Sequence, residues 1–334
     1  MPRHSVKFLI FCGAVINNFK QDIIDLFSRK KGGHIDHWLY SDALRENMTG
    51  SQLWHEFLRA SKNYYVLPNE IALIAQHANE ISKQMNDVDT VVDFGVGDDL
   101  AIVNKALPII KGIESAKTYI GIDISAQFLQ AACKRVANDT ALETQCIQSD
   151  FYKLGNPLTG QKRLGMMFGS TITNQNMMEG EAFPHEAITG KLGRLKNVVG
   201  EGGKMLINYD GNRDSESVLK AYDHVFWSRH VTGIAYDIAN IAQGDFKIDS
   251  WAHKRIWDKN AHVLHQCIEA TQDQHFSINE HDFRIKKGAR FVAVNNFKYP
   301  SDIFKSLAHN AGFEVGPTYS DPQSRMHIQT LSVA

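Results

Sequence analysis

Five carboxylates stand at or just beyond the ends of apolar runs. Asp93, Asp98 and Asp99 fall in VVDFGVGDD (91–99), Asp123 closes YIGIDIS (119–125), and Asp150 sits in QSDF (148–151). A short apolar run that stops at Gly95 and Gly97 reads as a buried strand ending in a glycine turn. Nucleotide cofactors sit at such carboxyl ends in parallel sheets. A dinucleotide site needs GxGxxG, so that a helix N-terminus can approach a pyrophosphate. The run here is GVGDDL: the third glycine is missing, and two acids stand where phosphates would come. That charge repels a pyrophosphate and favours a cationic sulfonium carrying an amino group, which describes S-adenosylmethionine.

The other acids suit the same ligand. Asp123 can accept from both ribose hydroxyls, a device NAD sites share. Asp150 can accept from an adenine amino group, and Phe151 can pack on the ring. Asp93, Gly95, Gly97, Asp123, Asp150 and Phe151 are therefore the expected cofactor residues. Two alternatives stay open at this point: solvated strand ends, or a NAD site. Asp98 and Asp99 serve equally as cofactor contacts or as caps of the next helix.

Such strand ends need a scaffold. Strands are expected at 90–97, 117–125, 143–151, 163–171 and 204–211, with helices at 99–112, 126–138 and 182–199 between them. This alternation predicts a parallel sheet covered on both faces. Ahead of it, helices are expected at 16–30, about 52–61 and 69–84. Beyond it, 214–241 reads as helical and 262–299 as strand-rich. A helix follows from 301, capped by Ser301 or Asp302, and MHIQTLSVA (326–334) reads as a last strand. The expected division is an N-terminal segment 1–85 joining a substrate-binding lid, a cofactor domain 86–213, an inserted part 214–290, and a return to the sheet over 291–334.

The segment FGSTITNQN (168–176) resembles the FLGSTIGNF-type motif of the histidine-specific, ergothioneine-pathway α-N-methyltransferases and their relatives, among them the fungal dimethylallyltryptophan N-methyltransferases. The likeness continues in order through IDHWLYSD (35–42), GSQLW (50–54), NYYVLPNEIALI (63–74), LKAYDH (219–224), IWDKNAHV (256–263) and FKY (297–299). It implies a class I, Rossmann-like methyltransferase sheet with a second, substrate-binding lid domain, and methyl transfer from S-adenosylmethionine to an α-amino nitrogen. By this resemblance Asn174 holds the substrate amino end, Tyr222 reaches its carboxylate, and Tyr40, Trp54 and Tyr64 are pocket aromatics. Gly169 is expected where ligand atoms pass close to the backbone. Asn174, Tyr64 and Tyr222 orient the amine lone pair, and no dedicated general base is evident. The histidine enzymes grip the imidazole with a glutamate and a serine. AVNNFKY (293–299) places Val294 and Asn296 at those positions. A buried imidazole N–H left without its acceptor costs about 1–3 kcal/mol, so the expected acceptor is an amino acid or similar amine other than free histidine. O- or C-methylation, or a non-catalytic cofactor-binding protein, are the competing readings.

Composition bounds the rest. The chain has 334 residues, 43% hydrophobic and 22% charged, with a net charge of −1. It lacks the basic excess of a nucleic-acid binder. Cys12, Cys133, Cys146 and Cys267 are dispersed without a CxxC pair, which argues against a zinc ribbon or disulfide scaffold and suits a reducing, cytoplasmic setting. FLIFCGAVI (8–16) reads as a strand or helix of the fold, since no small-residue cleavage site follows it. His34 with His37, and His262 with His265, lack a third ligand, so no metal is expected. Trp251 and Trp257 read as lid core.

Overall fold

The apolar runs that end in glycine or acid become the inner strands of one sheet. Thr90–Phe94 is buried at every position, as a strand covered on both faces must be. The computed structural model describes residues 6–10, 19–30, 44–45, 47–154, 158 and 160–334. Tyr40, the segment 35–42, Cys12, His34 and His37 lie outside the described residues.

Among the described residues the main sheet has eight strands. From one edge they run Val6–Ile10, Glu143–Gln148, Thr118–Asp123, Thr90–Phe94, Arg163–Met167, Lys204–Asp210, Met326–Ser332 and Glu314–Ser320. The first six are parallel, and the last two join antiparallel. The chain moves outward from Thr90–Phe94 on one side, then returns to place Arg163–Met167 on the other. The order therefore reverses between these two strands, and a ligand crevice forms at their carboxyl ends.

Local signals set the helix starts. Ser125 Oγ accepts from Phe128 N, and the helix Ala126–Asp139 begins there. Thr49 and Gln52 form a reciprocal capping box on Gly50–Ala60. The expected helix over 99–112 is not uniform: Ile102–Ala106 is a π-turn, closed by Leu107 N donating to Ile102 O. Pro108 brings no N–H to the α-helical ladder just beyond it, and the wider turn falls there.

Beside the main sheet stand two three-stranded antiparallel sheets. One holds Trp251–Asp258, Val263–Ala270 and Arg290–Phe297; the other holds Gln243–Asp245, Gln274–Ile278 and His281–Ile285. Phe27, at the end of the helix Phe19–Phe27, ties them together. Its ring centroid lies 5.8 Å from that of Trp251, 5.2 Å from Phe276, 5.5 Å from Phe283 and 4.9 Å from Phe291. Trp251 is thus core.

The structure differs from the sequence reading at several points. Val6–Ile10 extends the main sheet, so the N-terminal stretch is divided between that sheet and the smaller ones. Residues 214–241 break into three short helices, Ser215–Ala221, Val225–Thr232 and Ile234–Ala239. The strand Glu314–Ser320 was not anticipated, because Gly316 and Pro317 interrupt its pattern; at a sheet edge a proline costs no ladder bond. Neither Ser301 nor Asp302 caps Ser301–Asn310: Pro300 holds the cap position, and Ser301 Oγ accepts from the Tyr209 hydroxyl at 3.1 Å. Cys133 and Cys146, dispersed in sequence, meet as a disulfide between the helix Ala126–Asp139 and the strand Glu143–Gln148. No helix among the described residues is long and apolar enough to cross a membrane.

Truncating Phe27 leaves a cavity that two sheets cannot both fill. Phe27→Ala is expected to cost about 3–5 kcal/mol, read as a lower urea midpoint; a change below about 1 kcal/mol would show that Phe27 does not join the two small sheets.

Candidate active site

A cavity of about 380 Å³ opens at the carboxyl ends of the parallel strands. Gly95, Gly97, Asp123, Asp150, Phe151 and Gly169 line it on the sheet side. Trp54, Tyr64, Asn174, Tyr222, Val294 and Asn296 line it as well. One cavity thus brings together every site residue expected from sequence that lies among the described residues, except Asp93.

The sheet side is built by backbone and carboxylates together. Gly97 has φ +64°, a conformation L side chains rarely adopt, and an added Cβ would lie 3.0 Å from Ala101 Cβ. Asp123 Oδ1 accepts from Ser125 N at 2.8 Å, and Oδ2 accepts from Gly97 N at 3.4 Å. One carboxylate therefore positions both the glycine loop and the next helix start. Asp150 Oδ1 accepts from Tyr152 N at 3.0 Å, presenting the Phe151 ring to the cavity. Asp98 caps its helix through Ala101 N at 2.7 Å and also pairs with His55 at 3.2 Å. His55 in turn stacks on Phe128 at 5.0 Å. Asp99 turns outward to Arg135 at 2.8 Å.

Asp93 corrects the sequence reading. It is not in the cavity wall but beneath it, accepting from the Tyr119 hydroxyl at 2.9 Å. Burial lifts its carboxyl to about 7, against the opposing effect of the Tyr119 hydrogen bond and of Lys105.

Glu70 and Lys105 complete the crevice. Glu70 is fully buried; Oε1 accepts from Gly169 N at 2.6 Å and Oε2 from Lys105 Nζ at 3.1 Å. It joins the π-turn Ile102–Ala106, in the helical segment after Thr90–Phe94, to the loop after Arg163–Met167, across the point where the strand order reverses. Gly169 and Ser170 are both left-handed, at φ +71° and +58°. Ser170 N donates to Asn208 Oδ1 at 2.8 Å, which holds this costly conformation. The short helix Thr171–Thr173 follows and delivers Asn174 to the cavity. Glu70 lies in a quoted motif, yet sequence reading gave it no role. Its signal was an acid on the apolar face of a helix, in register with Val66, Leu73 and Ile74.

The opposite wall comes from the small sheet and the helices beside it. Side chains alternate along Arg290–Phe297, and a bulge between Gln266 and Cys267 sets the register that pairs Gln266 with Val294. Val294 and Asn296 share a face, and Lys298 follows on the same alternation. Lys298 Nζ donates to Asp210 Oδ2 at 2.6 Å and to the Tyr222 hydroxyl at 3.4 Å. The Tyr65 hydroxyl donates to the same Asp210 oxygen at 2.7 Å. Burial raises the Tyr222 phenol above its ordinary range, against the lowering effect of Lys298. Burial opposes the Lys298 charge, but Asp210 outweighs it and the ammonium is held. Trp227, which sequence reading did not single out, adds a ring 5.6 Å from Trp54 and 5.2 Å from Tyr222. No cluster of three metal-ligating side chains occurs among the described residues.

Residues 19–333 match the family model of histidine-specific, SAM-dependent methyltransferases. The chain belongs to that family. Among curated relatives, this methyltransferase is 22% identical over 292 residues to the N-methyltransferase imqF of Aspergillus flavus, covering 83% of this chain and 76% of imqF. It is 27% identical over 316 residues to ergothioneine biosynthesis protein 1 of Neurospora crassa, covering 90% of this chain and 33% of that one. Among solved structures it aligns with an S-adenosylmethionine-dependent methyltransferase from Clostridium acetobutylicum at a TM-score of 0.43 and 11% identity, over 84% of this chain and 96% of that chain. The residues present fit S-adenosylmethionine: bare backbone at Gly97, the buried carboxylate of Asp123, the partly buried carboxylate of Asp150, and the Phe151 ring line one crevice.

Two measurements follow. Losing the Asp123 carboxylate removes charge-assisted hydrogen bonds of about 1.5–3 kcal/mol, so Asp123→Ala should weaken S-adenosylmethionine binding by about tenfold or more in calorimetry; unchanged affinity would remove Asp123 from the cofactor site. Asp93 titrates near 7 when folded, whereas an unfolded aspartate does so near 3.9. The folded state therefore keeps a proton that the unfolded chain releases. This contribution to stability is full below about pH 4 and is lost as pH rises to about 7, on the order of 4 kcal/mol. Asp93→Asn should flatten urea-derived stability across that window and be more stable than wild type at pH 8. A slope identical to wild type would contradict it.

Proposed function

We propose that this methyltransferase transfers a methyl group to the amino nitrogen of an amino acid or amino-acid-like amine other than free histidine. The observation that supports this reading most is the chemistry of the wall opposite the cofactor residues. Val294 and Asn296 face the cavity together with Trp54, Tyr64, Tyr222 and Trp227. Valine offers an imidazole N–H no acceptor. Of the carboxylates that line the cavity, Glu70 is held by Lys105 and Gly169, while Asp98, Asp123 and Asp150 belong to the glycine loop and strand ends. A larger, less polar side chain fits this wall better than an imidazole does.

The bound cofactor supplies an electrophilic methyl on a good leaving group, so the protein's task is alignment. Holding the nitrogen in line can contribute about 7–11 kcal/mol. Asn174 takes an N–H of the amine and leaves its lone pair toward the methyl. Tyr222, kept protonated by burial and fixed by Lys298, donates toward a carboxylate. The aromatic lining disfavours the ammonium form and lowers the amine's pKa, so a separate base is not required. The small antiparallel sheets, with the N-terminal helices, act as the acceptor-binding lid.

The test is a pooled amine and amino-acid screen with purified protein and S-adenosylmethionine, read by mass spectrometry for products one methylene heavier. Aromatic or aliphatic amino acids should be N-methylated while histidine is not. Val294→Glu with Asn296→Ser should raise turnover of histidine by about tenfold or more, the value of one restored buried hydrogen bond. Efficient methylation of histidine alone by the wild type would refute the proposal.

A further inference from the structure

We infer that Gln266 and His253, both outside the cavity wall, are positioning residues that fix which end of the Asn174 amide meets the acceptor amine. The inference rests on the amine reading above and concerns residues to which that reading gives no part.

Four hydrogen bonds run head to tail from the helix Val225–Thr232, across the small sheet, to Asn174. Ser228 Oγ lies 3.0 Å from His253 Nδ1. His253 Nε2 lies 2.8 Å from Gln266 Oε1. Gln266 Nε2 donates to Asn296 Oδ1 at 2.9 Å. Asn296 Nδ2 donates to Asn174 Oδ1 at 3.4 Å. The polarity is determined by the middle of the chain. Gln266 Oε1 can only accept, so His253 Nε2 carries the proton. Burial holds the His253 ring neutral, its pKa lowered to about 4, so Nδ1 is bare and accepts from the Ser228 hydroxyl. Every donor then points toward Asn174.

An isolated amide beside a cavity can flip at little cost. Here a flip at any one position sets N–H against N–H and oxygen against oxygen within a buried network, since Gln266 is fully buried and Asn296 nearly so. Each mismatch costs about 1–3 kcal/mol. The chain therefore holds Asn174 with Oδ1 toward Asn296, since Asn174 can turn only if Asn296, Gln266 and the His253 tautomer all reverse with it. That oxygen has a second lone pair, and at the cavity wall it can accept an amine N–H. The amine lone pair is then directed away from Asn174, as in-line attack requires. Three strands of the small sheet and one helix beside it thus set the geometry of a side chain carried by the segment that follows Arg163–Met167.

Gln266→Glu is the informative variant. It is isosteric and keeps a hydrogen bond to His253 Nε2, but it cannot donate to Asn296 Oδ1. Asn296 must then turn its Nδ2 toward position 266 and its Oδ1 toward Asn174, which reverses the Asn174 amide. Gln266→Met removes the link without reversing it. Using an amine that the wild type methylates, we expect Gln266→Glu to lower kcat by about a hundredfold. Its affinity for the same amine, measured by calorimetry on the S-adenosylhomocysteine complex, should fall about tenfold. Cofactor affinity should stay at the wild-type value, which separates a misaligned acceptor from a misfolded protein, while the new carboxylate at the fully buried position 266 should lower the melting temperature. Gln266→Met should give a smaller loss of kcat than Gln266→Glu, because Asn174 then samples both orientations. Wild-type kcat in Gln266→Glu, or losses of kcat that track losses of cofactor affinity, would overturn the relay alone. A wild-type enzyme that methylates no amine would overturn the acceptor reading and the relay's role with it.

Discussion

The buried carboxylate of Glu70 is the interaction on which the site depends. A carboxylate with no exposure is tolerable only if its charge is matched and its lone pairs are filled. Here Lys105 supplies the charge and Gly169 N–H fills a second lone pair. The partners come from the helical segment and the loop that follow the two strands between which the sheet order reverses. Meeting the needs of one buried anion therefore fixes the width of the crevice and the left-handed turn at Gly169 and Ser170. From that turn the chain has one way on, and it delivers Asn174. A neutral residue at position 70 would leave Lys105 buried and unpaired, which is why the two must be read together.

The two walls of the cavity solve different problems. The sheet side presents oxygen acceptors and bare backbone, and its acids are mostly engaged in shaping loops: Asp123 holds Gly97 and Ser125, and Asp150 holds Tyr152. The opposite wall presents rings, one valine and amides. Its charged pair, Lys298 with Asp210, is buried behind the tyrosines and fixes Tyr65 and Tyr222 without entering the cavity wall. The Lys298–Asp210 charge thus lies behind the aromatic layer, and the wall that faces the strand ends is lined by rings, a valine and amides.

Asp93 shows how a motif residue can matter without touching a ligand. It sits under the glycine loop, bonded to Tyr119 on the adjacent strand. Burial disfavours its charge, so its role in the unliganded protein is as a partner for a phenol rather than as an anion in the crevice. The sequence placed it correctly at a strand end but could not tell a side chain that faces the cavity from one that faces the neighbouring strand.

What the sequence determined by itself was local and periodic. Apolar runs ending in glycine or acid located the strands, Ser125 located a helix start, and the ordered motifs located Asn174, Tyr222, Trp54 and Tyr64. These signals are written within a few residues of one another. Other features required the tertiary structure. The pairing of Glu70 with Lys105 and Gly169, the Cys133–Cys146 contact, the edge strand Glu314–Ser320 and the relay from His253 to Asn174 all join residues far apart in the chain. Their energetics depend on burial, which removes water as the alternative partner. A polar residue in sequence is the same whether water or another side chain will satisfy it, and only the packed structure decides which.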